Sequence, residues 1–171
     1  MQSASSPTRG LRYLGSYLFQ MDEKGRVALP AAFRRGSNGA SGSSGSSGAS
    51  GASKESADQR FVLIQAYAPS LALYPESEWA AVEERLRELM AHQPDARLYV
   101  LSVMSNAVEV TPDGQGRILI PARLKEAAGL EGQVLLVGAI DKVEIWNPKR
   151  FEAEVSAGSA GFDRFAPQIF R

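Results

Sequence analysis

Two arginines, Arg26 and Arg117, each follow a glycine inside the same short phrase: DEKGRVALP from Asp22 and DGQGRILIP from Asp113. An arginine leaving a tight turn presents a planar fork of donors that matches a phosphate, or the O6/N7 edge of guanine in the major groove. The glycine before it can close the turn in the left-handed conformation and removes a side chain that would hold DNA away from the backbone. Lys24 and Gln115 hold matching turn positions, the first suited to phosphate and the second to phosphate or adenine. Arg34 follows the first phrase and could add a phosphate contact, as could Arg35, with Arg123 and Lys125 near the second. These are read equally well as solvated surface. The candidate DNA-contacting set is therefore Lys24, Gly25, Arg26, Arg34, Gln115, Gly116 and Arg117. A plainer reading stands beside it. Asp22 and Asp113 accept backbone N–H groups of their turns, and each arginine merely pairs with its aspartate. For one such turn the plainer reading is favoured.

Other chemistries lack their materials. The chain has no cysteine, so it has no disulfide framework, no thiolate nucleophile and no thiolate metal site. His92 is the single histidine, which leaves no acyl-transfer dyad and no zinc site; no cofactor or metal is expected. Glu76, Glu78, Glu83, Glu84 and Glu88 follow the pattern of a solvated helix face. A hydrolase is the weakest of the functional classes. Lysines plus arginines number 19, as do aspartates plus glutamates, so the net charge is zero. That argues against a polybasic nucleic-acid coat but not against a few basic groups on one edge.

The 171 residues suit one compact domain or two small ones. The longest apolar runs, such as Val134 to Ile140, are too short to cross a bilayer, and the first ten residues lack the apolar core of a secretory signal. A cytoplasmic setting is the expectation. Along the chain, SYLFQ and RVAL read as strands around the DEKG turn, and Pro30 opens a helical turn. From Gly36 to Ser53 the composition collapses to glycine, serine and a few small residues, which reads as a flexible linker. RFVLIQAY and LALY follow as strands, then a helix over about 76–90 that places Trp79, Val82, Leu86 and Leu89 on one face, with Glu83 and Arg87 four apart on the other. DARLYVLSVM reads as a second helix. AVEVT, RILI, QVLLVGA and KVEIW are strands, with a Pro121-started helix stopped by Gly129 between the second and third of them and a short helix from Pro148 after the last. The triplets VAL and ILI read as core strand. The tail after Ser156 shows little periodicity.

The two phrases lie 91 residues apart, and the likeness resumes downstream, where FVLIQAYAPSLALYPESEW tracks QVLLVGAIDKVEIWNPKRF at an offset of 72. The 19-residue difference falls between Phe33 and Phe61, so the Gly/Ser tract is an insertion in the first copy. One copy has too few strands for a core, whereas two copies about a pseudo-two-fold axis could share a barrel. The expected organisation is a disordered tail (1–12), a first repeat (13–77, insertion at about 36–58), a helical connection (78–104), a second repeat (105–155) and a C-terminal tail (156–171). Pairing of Tyr74 with Trp79 and Trp146 with Phe151 is read as packing of helices on the strands, with a subunit interface as the sharper alternative.

DEKGRVALPAAFR and GQGRILIPARLKEAAGL, with LYPESEWAAVEERL and VEIWNPKRFE, resemble the MraZ family, a two-copy branch of the SpoVT-AbrB-type DNA-binding proteins. The likeness covers about residues 13–155. It implies a mainly β fold with packed helices (α+β): a swapped-hairpin AbrB-type β-barrel built from both repeats as a pseudo-dimer. It also implies a ring-like homo-oligomer and a nucleoid-associated transcriptional regulator. Its partner would be double-stranded DNA, at repeated promoter boxes upstream of a cell-division and cell-wall gene cluster, with no membrane and no small-molecule substrate. The unchanged Gly-Arg in both copies, joined to this resemblance, turns the balance toward DNA contact. The alternative is a structural or protein-interaction oligomer without DNA binding.

Overall fold

The computed structural model describes residues 12–34, 59–66 and 69–170. The N-terminal tail up to residue 11 and the insertion at 36–58 lie outside the described residues, as does Arg35. The first copy contributes β1 (Ser16–Gln20), β2 (Arg26–Ala28), α1 (Ala31–Arg34), β3 (Phe61–Ile64), β4 (Leu71–Pro75) and α2 (Glu76–His92). A single 3-10 turn at Pro94–Ala96 leads into α3 (Arg97–Asn106). The second copy repeats the order with β5 (Val108–Val110), β6 (Arg117–Leu119), α4 (Ala122–Ala127), β7 (Gln133–Gly138), β8 (Val143–Trp146) and α5 (Pro148–Ala157). A last helix, α6 (Ser159–Ile169), occupies the tail in which little periodicity was read. Its apolar residues do recur at helical spacing, but Gly161 and Pro167 interrupt the pattern.

The strands form an antiparallel six-stranded sheet, β1-β7-β8-β4-β3-β5, and a separate two-stranded ribbon, β2-β6. The hairpin expected between β1 and β2 does not pair internally. Instead β1 joins β7 and β2 joins β6, both from the other copy, and β5 likewise joins β3. Exchanging the copies turns the sheet order into its own reversal. The axis is visible in the registers: Val27 faces Ile118, 91 residues on, and Ala72 faces Glu144, 72 residues on. Among the described residues the ladders do not close into one continuous barrel. The fold is α+β, mainly sheet with helices packed on it.

The registers refine the alignment of the copies. Phe61 and Leu63 of β3 stand where Val134 and Leu136 stand in β7, since Phe61 and Val134 hold equivalent partners, Val110 and Phe19. The offset there is 134 − 61 = 73, so one residue of the length difference falls between Ile64 and Leu71 rather than beside the Gly/Ser tract.

One core lies between sheet and ribbon, where Val27, Leu29, Ile118 and Ile120 meet Phe61, Leu63, Leu71, Val134, Leu136 and Ile145. A second, smaller cluster covers the opposite face of β3 and β4: Val62, Ile64, Ala72 and Tyr74 under Trp79 of α2, with Val82 and Val103 of α2 and α3 against it. Both faces of these two strands are thus buried, which explains their unbroken apolar sequences. Tyr74 meets Trp79 at 5.8 Å between ring centroids, and the counterpart pair Trp146 and Phe151 meets edge-on at 5.4 Å. On the solvent side of α2, Arg87 pairs with Glu83 at 3.7 Å and with Glu84. No helix among the described residues is long and apolar enough to cross a membrane.

Candidate nucleic-acid interface

The two Gly-Arg turns are built alike, bond for bond. Asp22 Oδ1 accepts the backbone N–H groups of Lys24 (3.0 Å) and Arg26 (2.9 Å), and Asp113 Oδ1 accepts those of Gln115 and Arg117 (both 2.9 Å). The N–H of Gly25 donates to the carbonyl of Asp22 and that of Gly116 to the carbonyl of Asp113. Both glycines lie in the left-handed region, at φ of 80° and 73°, where a Cβ would crowd the carbonyl that follows. The turns are also tied to each other. The carbonyl of Gly116 accepts from Leu29 N–H at 2.8 Å, and that of Gly25 accepts from Ile120 N–H at 2.9 Å. Each turn therefore rests on the other copy's strand.

Arg26 Nε donates to Asp22 Oδ2 at 2.7 Å, and Arg117 Nε donates to Asp113 Oδ2 at 2.9 Å. The plainer expectation for these residues, an aspartate capping the turn and an arginine paired with it, is what the geometry contains. Arg117 Nη1 also stands 4.0 Å from Asp22 Oδ2, so one carboxylate faces the arginines of both copies. The backbone N–H of Arg117 and then its guanidinium lower the Asp113 carboxyl to about 2, and Asp22 is lowered chiefly by the backbone N–H of Arg26. Both carboxylates are ionised at neutral pH. Arg26 engages its carboxylate through Nε alone, one of a guanidinium's five donors, whereas Arg117 Nη2 also stands 2.9 Å from Asp113 Oδ2; both side chains remain about 30% exposed (31% for Arg26, 28% for Arg117).

Of the other candidates, Lys24 and Gln115 are exposed at the two turn tips. Arg34 lies over the turn of the opposite copy. Its Nε donates to the carbonyl of Leu29 at 3.1 Å, and a Cβ on Gly116 would come within 2.7 Å of its Cζ. All seven candidates thus belong to one edge of the molecule, around the β2-β6 ribbon. Arg123 instead reaches the carbonyl of Ser105 on α3, at 3.3 Å.

The triplets read as core are so at their first and third residues, with Leu29 and Ile120 buried, but not at the middle one. Val27 and Ile118 are fully buried, whereas Ala28 is half-buried and Leu119 is 53% exposed. A two-stranded ribbon over a core buries alternate residues only. Its outer face carries Arg26 opposite Leu119 and Ala28 opposite Arg117. Leu119 is the residue of this face that pattern reading missed, and the period-two alternation of RILI was the signal for it. Among the described residues, no group of three or more His, Cys, Asp or Glu is placed to hold a metal ion.

Fold and site together define a two-repeat protein whose interleaved copies set a matched pair of Asp-x-x-Gly-Arg turns side by side. The model of one family, "MraZ protein, putative antitoxin-like", matches residues 13–101 and 103–165, and the chain belongs to that family. Among its relatives are proteins named transcriptional regulator MraZ. The one from Desulforamulus reducens is 32% identical over 157 residues, 92% of this chain and 96% of the relative. That from Desulfitobacterium hafniense strain DCB-2 is 38% identical over 135 residues (79% and 80%), and that from Pseudomonas syringae pv. tomato 33% over 152 (89% and 91%).

Proposed function

We propose that this protein is a transcriptional regulator that binds double-stranded DNA through the outer face of the β2-β6 ribbon. The observation that carries the reading is the pairing of two matched Asp-x-x-Gly-Arg turns, cross-bonded along one edge. Arg26 and Arg117 read or clamp the DNA, Arg26 held at Nε and Arg117 at Nε and Nη2, so that each guanidinium keeps a fixed orientation and donors for DNA. Lys24, Gln115 and Arg34 add backbone or base contacts, and Gly25 and Gly116 let the turns approach closely. The names of the relatives support a regulator of transcription, which is no enzyme class. The finer reading is repeated promoter boxes of a cell-division and cell-wall gene cluster, bound by a ring-like homo-oligomer in the cytoplasm on the nucleoid. A neutral chain with one small basic edge binds a single box weakly. Several edges on one ring gain affinity through effective concentration.

The test is titration of a repeat-containing promoter fragment with the wild type, Arg26→Ala and Arg117→Ala. Loss of one base-reading arginine costs about 1–3 kcal/mol per contact, so each variant should bind roughly 10- to 100-fold more weakly with its circular dichroism unchanged. Affinity of the wild type should also fall steeply with salt. The competing reading, in which both Asp-Arg pairs only brace their turns in an oligomer that binds no DNA, predicts no shift from any of the three proteins.

A further inference from the structure

The outer face of the β2-β6 ribbon differs between its two halves. Asp, Gly and Arg recur in both copies, but Ala28 stands in the first where Leu119 stands in the second. Val27 and Ile118 face each other into the core, so the pairs on either side of them, Arg26 with Leu119 and Ala28 with Arg117, both face outward. Leu119 is 53% exposed, and its side chain lies over the first turn, where a Cβ on Gly25 would come 3.9 Å from its Cδ1. The matching place over Gly116 is taken by the guanidinium of Arg34. One half of the edge thus sets an arginine beside a branched apolar side chain, and the other sets an arginine beside a second cation. A single exposed leucine on a protein surface is ordinary. This one sits among the donors of a nucleic-acid edge, where it can make no hydrogen bond of its own.

We propose that Leu119 is a specificity-determining residue of this edge, selecting thymine by packing on its C5-methyl group beside the base that Arg26 contacts. Leu119 takes that role only if the ribbon binds DNA, so the proposal rests on the DNA-binding reading and deepens it. The major groove admits a two-stranded ribbon, and the thymine methyl is the apolar group that base edges present there. Residues facing each other across an antiparallel pair stand about 5 Å apart. Successive bases on one strand are about 3.4 Å apart along the helix axis. Arg26 and Leu119 therefore reach the same base pair or neighbouring ones. In the other half Ala28 ends at Cβ and reaches less far, while the guanidinium of Arg34 is suited to phosphate or guanine and not to a methyl group. Thymine selection thus belongs mainly to the half that carries Arg26.

The test is titration of the repeat-containing promoter fragment prepared in two forms, one with thymine and one with uracil in its place, which differ only in the methyl group. A methyl group removed from water on binding is worth about fourfold in affinity. The wild type should prefer the thymine form by about that factor, and by more where several boxes are held together. Leu119→Ala and Leu119→Gln should lose the preference with circular dichroism and thermal unfolding unchanged. Leu119→Met should keep it. The glutamine variant is the sharper of the two losses, since it matches leucine in reach and lacks only the apolar end. A wild type that binds both forms alike overturns the proposal, as does an alanine variant that keeps the full preference; in either case the loss of binding in Arg26→Ala and Arg117→Ala still supports the DNA-binding reading. A wild type that binds neither form overturns the proposal and that reading together.

Discussion

At the scale of single residues, the paired aspartates make the turns sensitive to acid. A carboxyl whose folded pKa lies below its unfolded value near 3.9 stabilises the protein above that value, and the contribution disappears as pH falls through the folded pKa. For Asp113 the folded value is about 2, so the window of loss runs from roughly pH 5 down to 2. Asp22 shifts in the same direction. Thermal unfolding followed across that range should show a falling midpoint, and Asp113→Asn should flatten part of the fall. A parallel pH curve in the variant would mean that this carboxylate contributes nothing there. The glycines make a second residue-scale prediction. At φ of 80° and 73° an added Cβ costs about 1–2 kcal/mol in the left-handed region. Gly25→Ala should lose more than Gly116→Ala. Its Cβ would stand 3.2 Å from the backbone oxygen of Ile120, whereas at Gly116 it meets the movable guanidinium of Arg34. Urea titrations of the two variants side by side give the order.

At the scale of elements, α5 depends on one side chain. Asn147 Oδ1 accepts the N–H groups of Lys149 (3.0 Å) and Arg150 (3.3 Å), and its Nδ2 donates to the carbonyl of Gly129 at 2.8 Å. The cap and the bond to the end of α4 are lost together in Asn147→Ala, which should cost about 1–2 kcal/mol by denaturant titration. Its counterpart at the start of α2 is Pro75, which makes no side-chain cap, so Pro75→Ala should change stability far less. Element types were mostly legible because their periods are local: two for the strands, 3.6 for α2. Partners were not, since a pattern that says RVAL is a strand carries no information on whether it pairs with its neighbour or with a strand 91 residues away. Leu119 was misread for a related reason. An apolar residue on the open side of a ribbon has the same type as one on the closed side. The turns were the most legible part of the site, because Asp, Gly and Arg each leave a local signature there. The Asp22–Arg117 contact between copies was not, as only the interleaved fold creates it.

At the scale of the whole molecule, the two copies are built for each other and not for themselves. Four of the six strand pairings join one copy to the other, so neither half retains a complete sheet alone. A fragment could still recover those pairings by dimerising about the same axis, and the residues on that axis decide whether it does. Where β4 meets β8, Ala72 faces Glu144. Self-pairing of the second copy would set Glu144 against Glu144, and like charges directly opposite destabilise an antiparallel pair. Self-pairing of the first would set alanine against alanine. The central contact therefore favours the mixed pair. A fragment of residues 107–157 should be monomeric and unstructured at neutral pH, and should gain strand signal in circular dichroism when one equivalent of fragment 12–106 is added. Glu144→Ala in the short fragment should let it dimerise and fold by itself. Self-association of the unmutated fragment to the same extent would show that the axial charge does not select the partner, and that linkage in one chain alone keeps the copies together.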